Sequence, residues 1–453
     1  MTALFLILAQ ALPPVQAVQP PPESALRAPL PGLPREPPPD GPVLPLPQAL
    51  ETARTQSPDL AVALERVQQA HNNTQRAWAA VQPTLNATAS ATHNSIGAVE
   101  SIPTPPFVVE GSKNTQAASL NFSWTLLNFR AFPALATAYQ QVDVTRLDEI
   151  QQRRELLLQV SSTYYSGLAL HELAQVSLRL AAATHAHALD AQARYEAGLI
   201  QLSSALRARI DYLNAHQEVR RAQFAYVSSK SQLAALLDLR DTAFELAPPV
   251  QPPEEVRGAY RDLIAKAIAE RPEMAAARAN EEIAARLKVD AWAQFAPTLA
   301  VTANARYNHP ATSFTGEAGT WAVALAVTLP LYDGGFRYVA LKDADSQIRQ
   351  ARAQTRSQAA RIEDELRRAL LDLESARALR EEAEATLRAS RENERLVRAQ
   401  FDAGNTSQVE VSDAEAALFQ GESNALQQRL AVELAGLRVA KAVGAFDVTG
   451  GPK

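Results

Sequence analysis

The sequence contains no cysteine among its 453 residues. This excludes disulfides, thiolate metal sites, a cysteine nucleophile and a lipid-modified cysteine within the sequence. Aromatic residues are scarce at 6%. An interior drawn from Ala, Leu and Val predicts narrow helix-on-helix packing rather than a thick globular core. Nor is there an excess of charge: the formal net charge is −5, with the signs mixed along the chain, which gives no electrostatic case for a nucleic-acid partner. Nowhere do 18 or more apolar residues run together, so no transmembrane helix is predicted, and a membrane could be crossed only by strands. HExxH, GxSxG and GxxxxGK(S/T) are missing as well. His185 and His187 sit two apart on a predicted helix and point in different directions. The sequence therefore nominates no catalytic, cofactor-binding or metal-ligating residue, and reads as a non-enzyme.

Proline, by contrast, is plentiful at 29 residues. Residues 1–17 carry an apolar run from Ala3 to Ala9 and small-residue cleavage points after Ala11 and Ala17, without a positive flank, and read as an export signal. Residues 18–47 are dense in proline and are expected to form a disordered tether. Helical spacing of Leu60, Leu64, Val67 and Trp78 predicts a helix over 48–81, with Ser57-Pro58 just inside its first turns and Pro83 ending it. Residues 83–92 then alternate apolar with hydroxyl or amide side chains, as a strand does. Residues 93–115, with Gly97, Pro103, Pro105, Pro106 and Gly111, read as a long exposed loop. Leu120, Phe122, Trp124 and Leu126 alternate with Ser119, Asn121, Ser123 and Thr125 in a second strand. A helix of about 60 residues follows from Pro133, with Ile150, Leu157 and Tyr164 seven apart as in a coiled-coil seam. It breaks at Gly198, and a returning helix over 201–237 completes a hairpin.

After a proline-rich linker, 241–259, the pattern starts again. RAWAAVQPTL beginning at Arg76 matches DAWAQFAPTL beginning at Asp290, and Pro58 matches Pro272 at the same offset as Trp78 matches Trp292. The second copy supplies a strand from Thr298 to Arg306, a shorter loop, and the stretch TWAVALAVTLPLYDGG at 320–335. There Trp321, Val323, Leu325, Val327 and Leu329 share one face of an extended chain. Phe336 then opens a helix of roughly 65 residues, about 100 Å long, which turns at Gly404 as the first copy turns at Gly198. The first repeat thus spans 48–240, the second 260–444, and 445–453 is a tail. Pro83 and Pro297 open strands and Pro330 lies at the end of one, as expected of a residue that donates no N–H.

Two hairpins give four strands of about ten residues, long enough to cross a bilayer when tilted. Four strands leave two open edges that lipid does not tolerate, so closure into a barrel needs two or three subunits. The same alternation also fits a soluble sheet with one buried face. In that competing reading the chain is a structural coiled-coil protein without a pore.

The two-fold repeat, the Trp and Pro-Thr-Leu at each strand opening, the Leu331-Tyr332-Asp333-Gly334-Gly335 junction and the Tyr/Phe-x-x-Gly hairpin tips resemble the TolC-like outer membrane efflux family over nearly the whole chain. The resemblance implies a mainly α protein with a transmembrane β-barrel. It would be a homotrimer in which four strands per protomer make twelve and the hairpins form an α-barrel across the periplasm. Implied partners are outer membrane lipid, a periplasmic adaptor protein and an inner-membrane pump of the RND or ABC type. The duct would passively conduct small molecules or polypeptides. By the same resemblance, Gly198-Leu199 and Gly404-Asn405 contact the adaptor, Glu410 and Asp413 line a pore constriction, and Pro83, Pro297, Pro330, Asp333, Gly334 and Gly335 mark barrel-to-helix junctions. The first repeat departs at Leu127-Asn128-Phe129-Arg130, which stands where the second has Tyr332-Asp333-Gly334-Gly335.

Overall fold

A computed structural model describes residues 29–35, 41–95, 99–103, 106–110, 113–248, 257–311, 317–447 and 451–452. The expected export signal, most of the tether and the middle of the linker lie outside the described residues. In chain order the elements begin with β1 (Val43–Leu44), α1 (Leu46–Gln56), α2 (Pro58–Ala79), β2 (Thr84–His93), β3 (Val99–Pro103), β4 (Pro106–Glu110) and β5 (Asn114–Leu127). The first hairpin is α3 (Ala131–Glu196) and α4 (Leu202–Leu236), followed by β6 (Glu245–Leu246). The second repeat runs α5 (Tyr260–Glu270), α6 (Pro272–Ala293), β7 (Thr298–His309), β8 (Gly319–Thr328), α7 (Phe336–Asp402) and α8 (Gln408–Val443). Short strands β9 (Phe446–Asp447) and β10 (Gly451–Pro452) close the chain. No helix among the described residues is long and apolar enough to cross a membrane.

Two compact units emerge: a strand unit of Gly41–Ser166, Lys230–Ala378 and Ala431–Lys453, and a hairpin unit of Met1–Asp40, Gly167–Ser229 and Leu379–Leu430. In the strand unit one antiparallel sheet has the order β2-β5-β7-β8. Leu85, Phe122, Ala303 and Val323 fall in one row across it, and Ala87, Leu120, Ala305 and Trp321 in the next. Asn86, Asn121 and Asn304 align on the opposite face. The helical core of this unit gathers Leu263, Leu366, Ala369, Val439, Ala442 and Val443, with Ala267, Met274 and Ile362 in a second cluster.

In the hairpin unit the buried side chains of α4 are Ala205, Ala208, Tyr212, Ala215, Val219, Ala222, Tyr226 and Ser229, spaced alternately three and four. On α3, Ala174, Ser177, Ala181, Thr184, Ala188 and Ala191 keep the same spacing and are also buried. A seam of this period filled with small residues is what close antiparallel helix packing requires, and it accounts for the scarcity of rings.

Three expectations are corrected. The helix expected over 48–81 is two helices, because Ser57 is extended (φ −62°, ψ 126°) ahead of Pro58, which takes the first helical position of α2. Arg271 and Pro272 repeat the break between α5 and α6. The loop expected over 93–115 carries the paired strands β3 and β4. The tether and the linker also have seated parts. β1 pairs in parallel with β6, the buried Tyr164 hydroxyl donates to the carbonyl of Leu44 at 2.8 Å, and in the hairpin unit Tyr212 donates to the carbonyl of Pro31 at 2.7 Å.

Candidate functional site

The conduit that the resemblance implies would need a membrane-compatible wall, junctions where the wall meets helix, and a controllable end. The candidate for the wall is the four-stranded sheet. On its apolar face Trp321 is 79% exposed and Val327 70%, so among the described residues of the strand unit nothing covers the β8 side of the face that a buried sheet would hide. The polar face presents Thr84, Asn86, Thr88, Ser119, Asn121, Ser123, Thr302 and Asn304. Thr88 and Ser119 hydroxyls pair across β2 and β5 at 2.7 Å. Both outer strands, β2 and β8, keep one unpaired edge.

The two strand-to-helix junctions use different chemistry. Pro330 follows β8, and Asp333 accepts from the Gly335 N–H at 3.2 Å, from the Arg337 N–H at 3.2 Å and from the Arg337 Nε at 2.8 Å. Arg337 is buried, donates from Nη1 to the carbonyl of Pro330 at 2.8 Å and lies over the Phe295 ring at 4.7 Å. The hydrogen bond from the Arg337 side chain, with the Arg337 and Gly335 backbone N–H groups, holds the Asp333 carboxyl below its ordinary value. Gly334 and Gly335 turn the chain at φ 71° and 90°. In the first repeat the Asn128 side chain accepts from the Arg130 N–H at 3.1 Å. The Arg130 guanidinium makes a bidentate pair with Asp290, at 3.0 and 2.9 Å, on α6 of the second repeat. β5 also bulges between Thr125 and Leu127 just before this junction. Pro83 and Pro297 stand immediately ahead of β2 and β7.

At the hairpin tips Gly198 has φ 74° and Gly404 φ 78°. Gly198 N–H bonds to the carbonyl of Tyr195 and Leu199 N–H to that of Arg194, both at 2.9 Å. Gly404 N–H bonds likewise to Phe401, at 2.9 Å, and Asn405 N–H to Gln400, at 2.8 Å. This is the Schellman ending, which satisfies the last carbonyls of a helix through one left-handed residue. Leu199 is 74% exposed at the first tip.

Glu410 lies in the first turn of α8, where Ser407 caps the Glu410 N–H and Thr406 Oγ1 donates to Glu410 Oε2. Asp413, one turn on, is exposed with Arg207 Nη2 at 3.9 Å. The structure therefore sets a cation beside one of the two acids nominated for the constriction. The buried Glu415 carboxylate meets His187 Nε2 at 2.8 Å. His185 instead packs against the Tyr212 ring, with centroids 4.7 Å apart and the planes tilted by 56°, so the two histidines do diverge, and no metal-binding cluster occurs among the described residues. Sequence reasoning missed Arg337 and the Arg130–Asp290 pair. Arg337 could have been found as a basic residue four positions after Asp333, whereas nothing local marks Asp290.

The chain matches the model of the family described as outer membrane efflux protein over residues 49–238 and 263–445. No curated protein matches it by sequence. Among solved structures it is similar to the outer membrane protein VceC of Vibrio cholerae, with 21% identity over 90% of this chain and 97% of that one and a TM-score of 0.69. The CmeC outer membrane channel of Campylobacter jejuni gives 16% identity over 88% and 85%, with a TM-score of 0.73. The open state of the MtrE outer membrane channel of Neisseria gonorrhoeae gives 18% identity over 88% and 88%, with a TM-score of 0.68. At these identities the likeness is one of fold.

Proposed function

Since the chain belongs to the outer membrane efflux protein family, we propose that it is an outer-membrane exit duct. Three copies close their sheets into one twelve-stranded barrel, and the duct passively conducts what an inner-membrane pump delivers. The observation that carries this reading is the open sheet with an uncovered apolar face. Burying that face in lipid and pairing both unpaired edges with neighbouring copies removes two otherwise unfavourable exposures at once. The family and fold are those of channel proteins, which agrees with the missing catalytic motifs. The competing structural protein without a pore would need its sheet buried in protein, and the exposure of Trp321 and Val327 argues against it.

In this duct Gly198-Leu199 and Gly404-Asn405 meet a periplasmic adaptor that couples the duct to an RND or ABC pump. Glu410 and Asp413 draw cations to the periplasmic constriction, with Arg207 tempering Asp413. Pro83, Pro297, Pro330 and Asp333 to Gly335 set where barrel gives way to helix. The test is to isolate the protein from outer membranes, show heat-modifiable trimers and insert them into planar bilayers. Conducting trimers are expected, and a Gly404→Trp variant should assemble yet fail to support efflux. A detergent-free soluble monomer would overturn the reading.

A further inference from the structure

On the polar face of the four paired strands, Arg306 is the only ionisable side chain among the described residues. Its row across the sheet is Thr88, Ser119, Arg306 and Thr320. The row beside it is Asn86, Asn121, Asn304 and Ala322, and the next Thr84, Ser123, Thr302 and Ala324. Hydroxyl and amide groups thus surround a single fixed positive charge with no carboxylate on that face of the sheet. Arg306 is exposed. It cannot pass its guanidinium to the other face, because Ala305 and Tyr307 flank it there and the adjoining row holds Leu120 and Trp321. An arginine held at the height of an apolar band is costly unless it faces water.

We propose that Arg306 sets the charge selectivity of the strand end of the conduit: three copies form a cationic ring on a lumen-facing strand surface that is otherwise uncharged among the described residues, favouring anionic solutes there. The proposal rests on the trimeric duct reading above. It also separates the two ends of the conduit by sign, since the acids at the hairpin tip favour cations. Three guanidinium groups at one height of the lumen, each acting over a Debye length of about 10 Å at 0.1 M salt, change the local anion-to-cation ratio by roughly threefold or more.

The experiment measures reversal potentials of purified trimers in planar bilayers under a potassium chloride gradient. It is run on the wild-type chain and on one carrying Glu410→Gln and Asp413→Asn, so that the tip acids do not mask the strand end. Arg306→Ser is expected to lower the anion-to-cation permeability ratio about threefold, and Arg306→Glu to lower it further. Because the chain has no cysteine, Arg306→Cys gives an independent readout. An anionic methanethiosulfonate should move the ratio as Arg306→Glu does, a cationic one should restore it, and Ala305→Cys on the apolar face should respond to neither. Conducting trimers whose ratio is unmoved by every change at position 306, in both backgrounds, overturn the proposal and leave the duct standing. Wild-type trimers that do not conduct overturn the duct itself, and this assignment with it.

Discussion

The two strand-to-helix junctions perform one task in two ways. The second is self-contained: one carboxylate, Asp333, takes three N–H bonds within four residues, and two left-handed glycines make the turn. The first has no glycine and no residue at positive φ; it bulges its strand, caps with an amide and reaches into the other repeat for Asp290. A junction with its own left-handed turn can be closed locally. One without it needs a distant partner, and that partner ties the repeats together, so divergence of the motif in one copy is compensated by a contact between copies.

The sharpest way to break this contrast is to remove the glycines. Gly334→Val together with Gly335→Val should cost about 2–4 kcal/mol, since each forces a β-branched residue into left-handed backbone. A Cβ at either position meets nothing within 4 Å, so the cost is conformational rather than steric crowding. In the first repeat Asn128→Ala removes a single capping bond and should cost about 1 kcal/mol or less. Chemical denaturation of the purified protein, read by helical circular dichroism, compares the two. Equal losses would show that the second junction does not depend on its turn.

A smaller effect is expected where the first junction borrows from the second repeat. Arg130 is half exposed and Asp290 less so, and solvent screening keeps the pair modest. A double-mutant cycle of Arg130→Ala with Asp290→Ala should give a coupling of about 1 kcal/mol. The matching cycle of Arg130→Ala with Asp333→Ala should give none. Coupling in the second cycle would mean that the two junctions are not separately closed.

The same contrast explains what could be read in advance. The period of two in Trp321, Val323, Leu325 and Val327 was legible because those side chains remain uncovered and obey only the strand geometry. So were Gly198 and Gly404, since a helix reversal needs left-handed backbone at a fixed place. Arg130 and Asp290 are 160 residues apart, and neither stands in a local motif, so only the folded chain joins them. Ser57-Pro58 was misplaced for a different reason. A proline suits the first turn of any helix, so the sequence could not distinguish a first turn from the start of a second helix. Prolines 103 and 106 read as loop punctuation, yet they end β3 and begin β4.

The smallest expected effect separates the junctions by pH. The Arg337 side-chain hydrogen bond and the backbone N–H groups favour ionised Asp333 in the folded protein, so its pKa lies below the ordinary value. A depressed carboxylate contributes stability that is fully present above the unfolded-state pKa of about 3.9 and is lost as pH falls through the folded value. Acid should therefore loosen the second junction first at the groups that Asp333 accepts from, the amides of Gly335 and Arg337. Asn128, whose side-chain carbonyl accepts from the Arg130 amide, does not titrate, and the Asp290 carboxylate reaches the Arg130 guanidinium rather than this amide, so the Arg130 amide should keep its protection over the same range. Hydrogen exchange of the three amides between pH 5 and pH 2, corrected for intrinsic rates, makes the comparison, and Asp333→Asn should abolish the difference in pH dependence. Equal acid sensitivity at Arg130 and Arg337 in the wild-type chain would mean that Asp333 is not what closes the second junction.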